Sequence, residues 1–228
     1  MKTGRTGIGP IDTAEDRVGL HGLLEKVYRN RGFDFREYKE TTLTRRLERR
    51  LRARGARSYA DYARLLDQDP SEYDRLINDF TIKVTSFFRD AEAFRALAEA
   101  VVPELAREAK NSRVWSAGCA TGQEPYSIAM LLLDSPGRAA APGSVTILAS
   151  DIDAPALEKA RTGVYAPKEV AGILSAWRER YFSPEATGLR VQPCLRRLVT
   201  FQAHNLVSDP PYLDLDLVVC RNVLIYFT

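Results

Sequence analysis

Residues 113–133 read R-V-W-S-A-G-C-A-T-G-Q-E-P-Y-S-I-A-M-L-L-L, and residues 145–153 read V-T-I-L-A-S-D-I-D. The order is strand, glycine turn, helix, strand, acidic residue, which is that of a nucleotide-binding βαβ unit. Gly118 and Gly122 are expected to let the backbone approach a ligand. Pro125 suits the first turn of the following helix. An acidic side chain at the end of the second strand, here Asp151, can accept both hydroxyls of a ribose. The spacing G-C-A-T-G is not the dinucleotide fingerprint G-x-G-x-x-G, and no G-K-[ST] follows as in a phosphate-binding loop. The turn carries Glu124 instead, which would repel a pyrophosphate and attract a cationic group. A ribose-bearing ligand with a positive charge suggests S-adenosylmethionine. An ordinary glycine turn in an α/β protein is the alternative reading.

Composition sets outer bounds. The 228 residues include 33 basic and 30 acidic side chains, a net charge of +3 that does not by itself argue for nucleic acid. With 45% hydrophobic residues, one large domain or two small ones can bury a core. No run is long and apolar enough for a transmembrane helix, and the N-terminus lacks the apolar stretch of a signal peptide. Three widely spaced cysteines, Cys119, Cys194 and Cys220, form neither a disulfide framework nor a zinc site. With only His21 and His204 present, a histidine-rich metal site is excluded and no metal is expected. A reducing cytoplasm fits best.

The two halves of the chain differ. From about Ile11 to Pro103 the pattern is helical. Leu43, Leu47 and Leu51 form one apolar stripe between Phe33 and Gly55, and Gly55 supplies a stop. Ser58 is the expected N-cap of a helix over Tyr59 to Leu66, and Ser71 to Asp79 is another short helix. Asp90 is the expected N-cap of a helix from Arg89 to Ala109 that Pro103 divides. Beyond Arg113, strands are expected at about Arg113–Ala117, Val145–Ser150, Leu198–Ala203 and Leu215–Cys220. Asp134 to Gly143 reads as a loop. The strands alternate with helices as in a parallel sheet. The chain ends just after the fourth strand, so a missing C-terminal part is expected, with an open strand edge prone to self-association.

One helix is strongly basic. Arg36 to Arg57 holds nine basic residues and three acidic ones. Arg45, Arg49 and Arg52 fall on one side of the leucine stripe, and Arg46, Arg50 and Arg54 on the other. This reads as a docking field for an anionic partner, with Arg45, Arg46, Arg49 and Arg50 as docking residues. A solvated helix face is the alternative. For nucleic acid, interleaved aromatics or a groove-reading motif would be expected, and neither is present.

These residues together resemble the chemotaxis receptor glutamate methyltransferases, the CheR family. The likeness runs through the basic helical segment and T-I-K-V-T-S-F-F-R-D (81–90). It continues in V-W-S-A-G-C-A-T-G-Q-E-P-Y-S-I-A (114–129), A-S-D-I-D-A-P-A-L-E-K-A-R-T-G-V-Y (149–165) and C-R-N-V-L-I-Y-F (220–227). The resemblance implies an α/β fold: a small all-helical N-terminal domain, residues 11–88, then a class I, Rossmann-like methyltransferase domain, residues 89–228, lacking its C-terminal strands. It implies transfer of a methyl group from S-adenosylmethionine to receptor glutamates in chemotaxis signalling, leaving S-adenosylhomocysteine. The implied partners are the cytoplasmic helices of methyl-accepting chemoreceptors, with no nucleic acid and no membrane insertion. The implied cofactor contacts are Thr85, Arg89, Gly118, Glu124, Asp151, Asn205, Leu206 and Asn222. Lys83 departs from the asparagine of many relatives. In the family three more strands follow, and some members carry a small β-subdomain there that docks a receptor tail.

Methyl transfer to a carboxylate is a direct displacement. A glutamate is already ionised at neutral pH, its reference pKa being ~4.3, so no strong base is needed. Alignment and exclusion of water should dominate. Arg221 and Tyr226 are the candidate catalytic groups that orient the carboxylate. Each residue has a plainer alternative. Arg89 could pair with Asp90 or Glu92, Asn205 could serve a turn, His204 could be packed, and Tyr226 could belong to a core or interface. Another class I methyltransferase acting on RNA or a small molecule is the second reading. A non-catalytic module that binds cofactor or receptor is the third.

Overall fold

A computed structural model of the chain describes residues 14–35, 38–80, 85–108, 112–135 and 145–227. Arg36, Lys83 and residues 136–143 of the expected loop lie outside the described residues. The chain divides into two compact units, Met1–Ile82 with Val223–Thr228, and Lys83–Asn222. The sequence reading put the boundary at residues 88 and 89 and gave the C-terminus to the second domain. Within the first unit, the Lys39 N–H donates to the Tyr226 carbonyl at 3.0 Å, and Tyr38 forms a bridge with Phe227.

The helical unit holds α1 (Ala14–Arg31), α2 (Glu40–Arg54), α3 (Tyr59–Gln68) and α4 (Ser71–Phe80). Leu43, Leu47 and Leu51 of α2 are buried, as their spacing requires. α2 ends where Gly55 takes φ 67° and the Ala56 N–H reaches back to the Leu51 carbonyl at 2.9 Å, a Schellman stop. The Ser58 hydroxyl accepts the Asp61 N–H at 3.0 Å and starts α3.

The two arginine sides of α2 have different fates. Arg46, Arg50 and Arg54 turn onto α4 and its N-terminal approach. Glu72 is completely buried, and it accepts hydrogen bonds from Arg50 Nε at 2.9 Å and the Tyr62 hydroxyl at 2.7 Å. Burial pushes its carboxyl pKa up, but the Arg50 and Tyr62 bonds outweigh that and hold it below the usual range. Arg54 pairs with Asp69 at 3.0 Å, and Arg46 donates to the Asp79 carbonyl. On the other side Arg45 is exposed, Arg52 meets Glu48 on its own helix, and Arg49, though 64% exposed, pairs with Asp79 of α4 at 2.9 Å. Arg50 is therefore a structural charge rather than a docking residue, because its guanidinium is only 14% exposed and neutralises a buried carboxylate.

The second unit opens with α5 (Ala91–Ala96), a π-helical turn (Leu97–Val101) and α6 (Val102–Glu108). Pro103 cannot donate to the preceding turn, and the widened turn before it absorbs the mismatch. The remaining elements are β1 (Ser112–Ala117), α7 (Gln123–Asp134), β2 (Val145–Asp151), α8 (Ala154–Thr162), β3 (Val164–Tyr165), α9 (Pro167–Val170), α10 (Ser175–Tyr181), β4 (Phe182–Glu185), β5 (Gly188–Val191), α11 (Pro193–Arg196), β6 (Val199–Ala203) and β7 (Leu217–Val219). The main sheet is parallel, in the order β6-β2-β1-β7. β1 and α7 are buried almost throughout.

A second sheet, β3-β5-β4, is antiparallel and lies between α8 and β6. The sequence reading assigned no strand there. The β4–β5 turn uses Ala186 and Thr187 rather than an Asn-Gly or Asp-Gly pair, and Pro184 sits within β4, so the usual hairpin signals are absent. Gly188 is required in β5, since a Cβ there would lie 2.2 Å from the Tyr165 carbonyl oxygen.

Removing Arg50 leaves Glu72 charged and buried with fewer partners. Arg50→Ala should lower unfolding stability by roughly 2–3 kcal/mol, Arg54 compensating in part. Arg45→Ala, on the exposed side, should stay within about 0.5 kcal/mol of the parent. Denaturant titration of both variants measures the difference, and equal midpoints would contradict the assignment.

Candidate active site

The site is built where β1, β2 and β7 end. The backbone after β1 arches over the end of β2: the Gly118 and Cys119 N–H groups both donate to the Ser150 carbonyl, at 2.8 and 2.9 Å. Gly118 needs its positive φ of 74° to make this bend. Gly122 serves a different purpose from the one expected. Its φ is 90°, and an added Cβ would sit 2.8 Å from Ala160 Cβ and 3.0 Å from the Tyr165 hydroxyl. Its bare backbone makes room for protein, not for a ligand.

Asp151 closes the arch. Its Oδ2 accepts the Ala120 N–H at 2.8 Å, and its Oδ1 accepts the Asp153 N–H at 2.9 Å. The Ile152 N–H adds a third backbone bond, so the carboxylate is firmly aimed and, with about four acceptor positions in all, keeps capacity for a hydroxyl. Burial raises its pKa, partly offset by those N–H bonds. Asp153 is the α8 cap, accepting the Ala156 N–H at 2.9 Å.

Glu124 stands in the first turn of α7. Its Oε1 accepts the Ser116 hydroxyl at 2.8 Å, and its Oε2 lies 3.5 Å from Arg221 NH1. Burial pushes its carboxyl pKa up, while Ser116, Arg221 and Arg89 pull it back. Cys119 lies near both acids: burial first, then Asp151 and Glu124, raise its thiol well above the ordinary value, so it is no nucleophile.

Arg221, just past β7, is held by the segment before α5. Its NH2 donates to the Arg89 carbonyl and to Asp90 Oδ2, each at 2.7 Å, and its guanidinium lies 5.1 Å from the Phe94 ring centre. Asp90 is thus not the side-chain cap expected for α5. It makes no cap bond, takes φ 58°, and gives its carboxylate to Arg221. Two phenylalanines peg this segment into the unit. Phe87 meets Tyr165 and Phe182 edge-on at 5.0 and 5.5 Å, and Phe88 meets Phe94 at 5.3 Å.

The remaining expected contacts are less tightly defined. Thr85 is half-buried just before the phenylalanine pair. Asn205 Oδ1 accepts the Val207 N–H at 3.0 Å, so it shapes the turn after β6 that carries half-buried Leu206. Asn222 takes φ 57°, a region that asparagine tolerates better than most residues. His204 is buried against Trp115 and Tyr212, with Nε2 3.1 Å from the Pro210 carbonyl oxygen. Tyr226 lies on the 3-10 turn Leu224–Tyr226, in the helical unit. Of the two catalytic candidates, Arg221 alone belongs to the site described. Sequence reasoning missed Ser116, Ser150 and Asp90, whose partners are 8 to 131 positions away.

Two aimed carboxylates beside a positive-φ turn suit a ligand with vicinal hydroxyls and a positive charge. Comparison with known proteins agrees. Residues 83–228 match the family model described as CheR methyltransferase, SAM binding domain, and residues 19–81 match CheR methyltransferase, all-alpha domain. The chain is 38% identical over 217 residues to chemotaxis protein methyltransferase 2 of Pseudomonas aeruginosa, covering 92% of this chain and 76% of that protein. It is 38% identical over 213 residues to the chemotaxis protein methyltransferase of Escherichia coli, covering 90% of this chain and 72% of that one. A 104.1 kDa protein of Rhodobacter capsulatus, described as uncharacterized, is 38% identical over 226 residues, 98% of this chain but 24% of its own length.

As pH falls from neutral, the raised pKa makes Glu124 protonate before an exposed glutamate would. The native state then binds more protons than the unfolded one, so Glu124's own contribution to stability rises in that window while its pull on a cation disappears. S-adenosylmethionine affinity should therefore begin to fall above the ordinary glutamate range. Glu124→Gln should bind more weakly at neutral pH and lose that pH dependence. Calorimetry across pH checks this, and parallel curves for parent and variant would refute it.

Proposed function

The chain belongs to the CheR methyltransferase family, and we infer that it methylates glutamate side chains on the cytoplasmic helices of chemoreceptors, acting from the cytoplasm. The observation that carries this reading is the pair Glu124 and Asp151. They stand at the carboxyl ends of β1 and β2, each pinned by protein hydrogen bonds and each keeping acceptor capacity. No helix among the described residues is long and apolar enough to cross a membrane.

S-adenosylmethionine, when bound, supplies a methyl group activated by its sulfonium. Asp151 would take the ribose hydroxyls, and Glu124 would receive positive charge. Arg221 and Arg89 favour the ionised form of Glu124 despite its burial. The substrate glutamate brings its own negative charge, so the chain's task is to align it and strip its water rather than to remove a proton. Asn205 and Leu206 would line the cofactor from the turn after β6, and Thr85, Arg89, Gly118 and Asn222 from the other loops. Arg45, exposed on α2, is the arginine most open to an acidic receptor helix; Arg49 is exposed but shared with Asp79, and Arg46 is half-buried.

Labelled-methyl transfer to receptor-rich membranes tests the reading. The product should be a base-labile ester, and Asp151→Ala should weaken cofactor binding by roughly 1–3 kcal/mol. Arg45→Ala with Arg49→Ala should lower receptor methylation without changing cofactor affinity. The parent's advantage should shrink as salt rises, since exposed charges are screened beyond ~10 Å at 0.1 M. A base-stable product would point to a nitrogen acceptor instead. Cofactor binding without transfer would favour a sensing module.

A further inference from the structure

Arg221 faces two carboxylates and is shared unequally between them. Its NH2 is saturated by the Arg89 carbonyl and Asp90 Oδ2, both at 2.7 Å, while its NH1 stays 3.5 Å from Glu124 Oε2. A charge-assisted bond would close to about 2.8 Å. The Phe94 ring, 5.1 Å from the guanidinium carbon, lies on the same α5 segment as the two NH2 acceptors. All three anchors therefore pull Arg221 to one side. On the other side Ser116 holds only Oε1 of Glu124, and Oε2 has the long contact with Arg221.

Asp90 adopts φ 58°, a left-handed backbone that a non-glycine residue takes at a cost. At the start of α5 its carboxylate is placed to cap the helix, yet it makes no cap bond. The local backbone is strained and the local capping bond is forgone, and what the carboxylate reaches instead is Arg221.

We propose that Asp90 is a positioning residue: it holds Arg221 back from Glu124, so that Glu124 Oε2 stays open to the positive charge of the cofactor. This rests on the reading that Glu124 receives that charge. Without the Asp90 carboxylate, the guanidinium would close onto Glu124 and occupy the oxygen the cofactor needs. Asp90 thus acts through two other side chains and touches neither substrate nor cofactor.

A double-mutant cycle read by calorimetry with S-adenosylmethionine tests this on the full chain. Asp90→Asn should weaken binding about tenfold, the scale of one charge-assisted contact. Asp90→Gly relieves the positive φ while removing the carboxylate, and should show the same loss. Asp90→Glu, which can still reach Arg221, should recover most of the affinity. In a Glu124→Gln background Asp90→Asn should add nothing, because the group it protects is gone. An equal added loss in that background would show that Asp90 only shapes the turn. Parent-like binding by Asp90→Asn, or an Asp90→Glu chain as weak as Asp90→Asn, would also overturn the proposal. If Glu124→Gln alone binds like the parent, the reading of Glu124 falls and takes the proposal with it. If Glu124→Gln is weak while Asp90→Asn is not, the proposal alone fails.

Discussion

The bond from the Ala120 N–H to the Asp151 carboxylate, 2.8 Å long, joins the loop after β1 to the end of β2. With the paired bonds onto the Ser150 carbonyl, it sets the shape of the loop that leads into α7. The direction of α7 in turn places Glu124 above Ser116. A parallel sheet leaves its strand ends open at the carboxyl edge, and loops there must find partners of their own for their backbone groups. Here the partner is a half-buried acid that still has acceptor positions left. One side chain completes the scaffold and is also the one proposed to receive the cofactor's hydroxyls, so damage to either role would be felt in both.

Charge is the second constraint. Glu124 and Asp151 are both disfavoured as anions by burial. Complete neutralisation by arginine would make them stable and useless. The site takes a middle course. Ser116 and backbone N–H groups supply directional bonds without net charge, and Arg221 stands at 3.5 Å, close enough to favour ionisation but short of a full pair. Non-glycine residues in left-handed backbone, Asp90, Ala120 and Asn222, occur in the loops that build this arrangement. Strained backbone persists where surrounding structure over-determines it, and here Asp90 bonds Arg221 and Ala120 bonds Asp151.

The basic helix shows how one periodicity can carry two jobs. Rotation of 100° per residue places arginines on both flanks of the leucine stripe. The flank facing α4 becomes internal wiring for Glu72, Asp69 and Asp79, while on the other Arg45 is exposed and Arg49 reaches Asp79 from the surface. The same residue type at neighbouring positions is therefore structural in one case, Arg50, and exposed in the other, Arg45. Burial of the opposing carboxylate decides which.

Much was legible in the chain itself. The glycine turn, the first-turn Pro125, the four parallel strands and the leucine stripe depend on local spacing, and the structure places them within a few residues of expectation. Asp151 and Glu124 could be picked out because their positions relative to that spacing are fixed. Tertiary structure alone decided the rest. Asp90 and Arg221 are 131 residues apart, and nothing local distinguishes an aspartate that caps its helix from one that reaches across to another loop. Arg50 and Arg45 look alike until α4 brings Glu72 to one of them. The antiparallel sheet has no strong turn signal, and Gly188 is required only by the approach of the Tyr165 carbonyl from another strand. Periodicity and turn chemistry act over a few residues, so the sequence determined the elements and the faces they bury. The sharing of each charge depends on distances of a few tenths of an ångström between remote segments, and only the folded chain sets those.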